Sequence, residues 1–124
     1  MNTSFIKEKD LLSPSHFPVQ VTFNEGGHWN FIEFIQLLSS DIGWGGNEGN
    51  CTFWNDLDAY EQSQTKPFEG AAFSALDDPD ITLTYGEIYY YMKIACRRYA
   101  EAHPNQKRFL DHLIQGYARR HNLS

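Results

Sequence analysis

The chain has only two cysteines, Cys51 and Cys96, in 124 residues. A small secreted domain stapled by disulfides carries more of them at regular spacing, so both are expected to be reduced and buried thiols. No apolar run approaches the roughly 20 residues that a membrane-spanning helix needs. The segment Met1–Asp10 is polar and carries both Lys and Glu. It lacks the apolar stretch of a signal peptide, and the cytosol is the expected compartment. Bases are scarce too: ten Lys and Arg face sixteen Asp and Glu, a net charge of -6. A general nucleic-acid binder needs the reverse balance to displace counterions from phosphates. No direct contact with nucleic acid is expected, and none with a membrane.

The usual signatures of catalysis are also missing. His16, His28, His103, His112 and His121 include no pair at metal-ligand spacing, and there is no Cys-x-x-Cys, so no metal centre is expected. No Gly-x-Ser-x-Gly is present, and neither cysteine has a nearby histidine to activate it. The carboxylate pairs Asp56/Asp58 and Asp77/Asp78 lie in polar stretches, where solvation leaves them without the tuning that acid–base work requires. The chain reads as a non-enzyme with no cofactor.

What is present fits one domain. Aromatics make up 15% of the residues, so the core is expected to be built largely from Phe, Tyr and Trp. Residues 1–15 read as a flexible N-terminal arm and 16–124 as a single domain. The alternation of Phe17, Val19, Val21 and Phe23 predicts a strand with Pro18 near its start, broken by Asn24–Gly27. Phe31, Ile35, Leu38 and Ile42 predict an amphipathic helix stopped at Gly43. Gly43–Gly49 reads as an irregular connecting loop, because four glycines in seven residues favour tight turns. Short strands are expected at Asn50–Trp54, Phe68–Leu76 and Ile81–Thr84, with Asp77–Asp80 as a turn and Asn55–Pro67 irregular. Thr84 and Glu87 form a capping box for a helix running to about Ala102, which His103-Pro104 ends. A last helix buries Phe109, Leu110, Leu113, Ile114 and Tyr117, and frays from Arg119; Arg119 and Arg120 there are expected to complement the helix dipole. The sum is an α+β fold, a small and largely antiparallel sheet packed against about three helices.

Charge is unevenly placed along this chain. From Asp41 to Asp80 nine acids face the single base Lys66, whereas from Lys93 onward seven bases face two acids. Acidic loops interleaved with aromatics suit a protein interface with buried anchors and a polar rim. Such loops steer a basic partner into place.

The series Gly43-Trp-Gly-Gly-Asn47, Asn50-Cys-Thr-Phe53, Pro67-Phe-Glu-Gly70, Gly86-Glu-Ile-Tyr-Tyr-Tyr-Met-Lys-Ile-Ala-Cys96 and Tyr99 to His103-Pro104 resembles a family of bacterial immunity proteins. That family protects against ribonuclease toxins of contact-dependent growth inhibition systems. The resemblance spans about Val19 to Tyr117, and Trp54–Lys66 is where this chain departs from it by extra length. It implies a cytosolic antitoxin that binds the nuclease domain at the C-terminal end of a large exported protein. It supplies no catalytic residue and no contact position. The toxin-binding candidates therefore rest on charge and loop position: Trp54, Asp56, Asp58, Tyr60, Glu61, Asp77, Asp78 and Asp80, with Trp54 and Tyr60 as anchors. Reversing Asp56, Asp58 and Glu61 is expected to leave folding nearly unchanged. Glu69 and Gly70 are expected to serve the fold. The alternative is an acidic adaptor or regulatory module whose partner is not a nuclease.

Overall fold

A computed structural model describes residues 4–123. The elements in order are α1 (Phe17–Ser39), β1 (Trp44–Gly45), β2 (Gly49–Phe53), α2 (Ala59–Ser63), β3 (Ala71–Ala75), β4 (Ile81–Leu83), α3 (Tyr85–Ala102) and α4 (Lys107–Arg120). The strands form one antiparallel sheet in the order β1-β2-β3-β4. The fold is α+β, with three long helices and one short one.

The strand predicted over Phe17–Phe23 is instead the first part of α1. Val19, Thr22, Phe23, Gly26 and Gly27 are all buried, a spacing of three and four that only a helix places on one face. Pro18 sits in the first turn, where a helix tolerates it. Gly26 and Gly27 do not break the helix. A Cβ at Gly26 would lie 2.3 Å from the Phe34 ring, and one at Gly27 would lie 2.5 Å from the Phe5 ring. Both positions are small because an aromatic ring occupies the space.

The chain does depart from helix geometry, but at Asn30 rather than at Asn24–Gly27. Asn30 has φ -169° and ψ 97°, non-helical values that kink α1. Its Oδ1 accepts from the Glu33 backbone N–H at 3.1 Å, which caps the second part of the helix. The helix ends at Ser39, so Ile42 lies beyond it and is exposed.

Two further expectations change. Gly43–Gly49 contains β1, a two-residue edge strand pairing Trp44 with Cys51 and Gly45 with Asn50. Asn55–Pro67 contains α2. The other strands, the hairpin turn and the Thr84–Glu87 capping box form as the sequence predicts. Gly70 has φ +82°, and a Cβ there would fall 1.9 Å from the Leu83 carbonyl oxygen, so the start of β3 requires glycine.

The inner face of the sheet carries Cys51, Phe53, Ala71, Phe73 and Leu83, all buried. Helix α1 packs on it, α3 meets α1 and β4, and α4 packs on α1 and α3. The core is aromatic, with Phe23 edge-on to Phe34 at 5.3 Å and stacked on Phe73 at 6.2 Å. Leu110, Ile114 and Tyr117 of α4 are buried, but Phe109 is exposed.

The segment read as a loose arm is in contact with the domain from residue 5 onward, and residues 1–3 lie outside the described residues. Phe5 and Ile6 are buried in the core. Their backbone N–H groups donate to Asn24 Oδ1 at 2.8 and 3.0 Å. Asp10 pairs with Arg98 through two contacts, one of them 3.0 Å long, and Arg98 also donates to the Phe5 carbonyl. Buried His16 meets the Tyr91 hydroxyl at 2.8 Å, and that hydroxyl accepts from the Leu12 N–H. Hydrophobic burial and these polar ties fix the segment.

Candidate interaction surface

The register of β2 against β3 sorts the eight candidate residues into two groups. Phe53 pairs with Ala71 at one end of the sheet, and Gly49 pairs with Ala75 at the other. Trp54, Asp56, Asp58, Tyr60 and Glu61 follow Phe53, whereas Asp77, Asp78 and Asp80 follow Ala75. Five residues of extended chain, roughly 14 Å, lie between these ends. The fold therefore does not gather the candidates into one cluster.

In the first group the carboxylates already serve local structure. Asp56 Oδ2 accepts from the backbone N–H of Gly43 at 2.9 Å and of Phe53 at 2.7 Å, clipping the loop before β1 to the end of β2. Asp58 caps α2: its Oδ1 accepts from the Glu61 N–H at 2.8 Å, and Glu61 Oε1 accepts from the Asp58 N–H at 2.9 Å. The expectation that reversing these three charges leaves folding unchanged is not supported by this geometry, since each supports a backbone turn. Trp54 packs edge-on against Phe68 at 5.3 Å and is half-buried. Tyr60 is 72% exposed, with its ring free of the core.

The second group is open. Asp77 and Asp80 are exposed and Asp78 is half-exposed. Asp77 holds φ +65° in the turn, a left-handed conformation that Asp tolerates better than most residues. Beside it, Leu76 is 66% exposed. The Leu76 N–H donates to the Glu48 carbonyl at 3.1 Å, which extends the ladder one step and brings Glu48 to the same end.

Sequence reasoning missed two carboxylates. Glu25, on α1, reaches into the glycine-rich loop: its two oxygens accept from the backbone N–H groups of Asn47, Glu48 and Gly49 at 2.6, 3.0 and 2.9 Å. Burial works against its charge, but those three donors outweigh it and hold its pKa below the ordinary carboxylate value. Asp41, with φ +59°, meets Arg120 at 3.0 Å and His121 at 3.0 Å. Arg120 also donates to the Ser39 carbonyl. The C-terminal arginine thus ties α4 to the end of α1 as well as lying at a helix C-terminus. Neither carboxylate stands in a pattern that reads as a site in sequence.

No group of three His, Cys, Asp or Glu among the described residues could hold a metal ion, and no described helix is long and apolar enough to cross a membrane. Both cysteines are free and buried. Desolvation pushes each thiol up to about 12, far from the reactive thiolate range.

The geometry is thus that of a surface whose acids sit at the two ends of a sheet. The sequence profile of the CDI immunity proteins matches residues 15–114. The chain belongs to the CDI immunity protein family. No curated protein matches it. Members of that family confer immunity by binding a cognate toxin. The match ends six residues short of the α4 terminus and takes in all four strands.

Proposed function

We propose that this immunity protein is a non-enzymatic cytoplasmic antitoxin. It neutralises a ribonuclease toxin domain by covering that domain's basic RNA-binding cleft with the acidic loops at the ends of its sheet. The observation that carries this reading is the gathering of exposed and half-exposed acids at the two ends of the sheet. Glu48, Asp77, Asp78 and Asp80 project at one end of the sheet, and Asp56, Asp58 and Glu61 at the other. Lys107, Arg108 and Arg119 are exposed on α4, which packs on α1 and α3. A cleft that holds polyanionic RNA must itself be basic. A surface with excess acid at the ends of its sheet is drawn to such a cleft.

The test is rescue in cells. The C-terminal toxin domain encoded beside this protein, expressed alone, is predicted to stop growth and fragment RNA. Co-expression of the immunity protein is predicted to restore both growth and intact RNA. Restored growth with a toxin that never cleaves RNA would reject the ribonuclease assignment. Binding to a partner that is not a toxin would favour the adaptor reading.

A further inference from the structure

The outer face of the sheet is exposed or half-exposed at every outward position. Outward positions alternate with the buried ones along each strand, and they are Gly45 on β1, Asn50 and Thr52 on β2, Ala72 and Ser74 on β3, and Thr82 on β4. Gly45, Asn50 and Thr82 are exposed, and the other three are half-exposed. The register sets Asn50 opposite Ser74, and Thr52 opposite Ala72, which in turn faces Thr82.

None of these six residues is charged. An exposed antiparallel sheet face on a chain with 21% charged residues would be expected to carry Lys or Glu, which keep open sheets soluble and unpaired. Here charge is confined to the two ends, and the floor between them carries small, uncharged side chains. Glu48 and the Asp77–Asp80 turn border one end, and Asp56 and Glu61 border the other, where they line a shallow recess with Gly45, Asn50, Thr52 and Leu57. Leu76 is two residues beyond Ser74, so it falls on the same side by alternation, and it is 66% exposed. An uncharged centre, an exposed apolar side chain and a charged rim are the anatomy of a protein interface.

We propose that this outer face is the docking surface for the toxin domain, and that the toxin meets it with a basic patch. The proposal rests on the toxin-neutralising reading above and adds where the contact lies. Charge complementarity chooses the occupant. The rim is acidic at both ends, so a phosphate backbone is repelled and a Lys- or Arg-bearing surface is attracted. The small floor lets such a surface approach the backbone closely.

The experiment measures affinity of the toxin domain encoded beside this protein for the wild type and for Ser74→Arg, Thr82→Arg and Leu76→Ser, each made in the full chain. Arg108→Glu on α4 is the control. Circular dichroism and melting temperature report folding, and Leu76→Ser keeps the test valid if an arginine on a strand unfolds the chain. The expected result is a loss of about 100-fold or more for the face variants. Arg108→Glu is expected to remain within about threefold of wild type. Folded face variants that bind within about threefold of wild type would overturn the proposal. So would wild-type self-association abolished by Ser74→Arg, because the face would then belong to a second copy. A wild type that binds no toxin domain at all would instead overturn the functional reading beneath it.

Discussion

Glu25 Oε2 lies 2.6 Å from the backbone nitrogen of Asn47, so a helix carboxylate holds a glycine-rich loop through main-chain donors. The loop belongs to the hairpin that joins β1 to β2, and Glu48 at its tip stands on the acidic rim. Glu25→Ala is predicted to destabilise the protein by about 2 kcal/mol, the scale for losing hydrogen bonds to a charged acceptor. Hydrogen exchange is predicted to accelerate at the amides of Asn47, Glu48 and Gly49 ahead of the rest of the sheet. Unchanged exchange at those three would show that the loop is held by something else.

The same carboxylate sets a pH dependence. The folded pKa of Glu25 is depressed, and that of Asp10 is depressed as well, chiefly by its hydrogen bonds from Arg98 and against the cost of burial. A group whose pKa is lower folded than unfolded contributes stability above the unfolded value and loses it as pH falls through the folded one. Urea unfolding is therefore predicted to show stability falling as pH drops through and below the ordinary carboxylate range. Arg98→Ala is predicted to cost about 2 kcal/mol near neutral pH, because it leaves Asp10 short of a charged partner in a largely buried site. Part of the pH dependence should disappear with it.

The two acidic groups are predicted to respond differently to substitution. Asp58→Ala removes a helix cap and is expected to cost about 1 kcal/mol. Asp56→Ala, which frees the N–H groups of Gly43 and Phe53, should cost a similar amount. Asp78→Lys and Asp80→Lys touch no such bond and are expected to shift stability by about 0.5 kcal/mol or less. Asp77 is better changed to Asn than to Lys, because its left-handed backbone suits Asn. Thermal melts of the single variants decide the matter, and equal costs in both groups would contradict it.

Much of this fold was legible from local pattern. The Thr84–Glu87 box, the stop at His103-Pro104 and the Asp77–Asp80 turn each have a short-range cause, and each formed where the sequence placed it. The failures came where two periods coincided or where tertiary contacts decided. Phe17–Phe23 fits both an alternating and a helical face, and Gly26-Gly27 reads as a breaker until Phe34 and Phe5 are seen against it. Asp58 and Glu61 carry the spacing of a capping box, but no apolar run follows them to announce a helix. The uneven charge could be counted in the sequence. That Asp56, Asp58 and Glu61 spend their oxygens on their own backbone, and that the floor between the acids is uncharged, depends on strand register.

Both thiols are predicted to be inert in the folded protein. With pKa values pushed up to about 12 by burial, Cys51 and Cys96 should react with a thiol reagent near pH 8 only on unfolding, since the thiolate is the reactive form. Rapid labelling of the native protein would contradict this burial.

The most direct test of the account is a titration of the purified toxin domain with this immunity protein, read as cleavage of RNA over time. The account predicts that cleavage falls in proportion to added protein and is abolished near one equivalent, with association slowed by salt. Cleavage that continues unchanged in the presence of excess folded protein would contradict it.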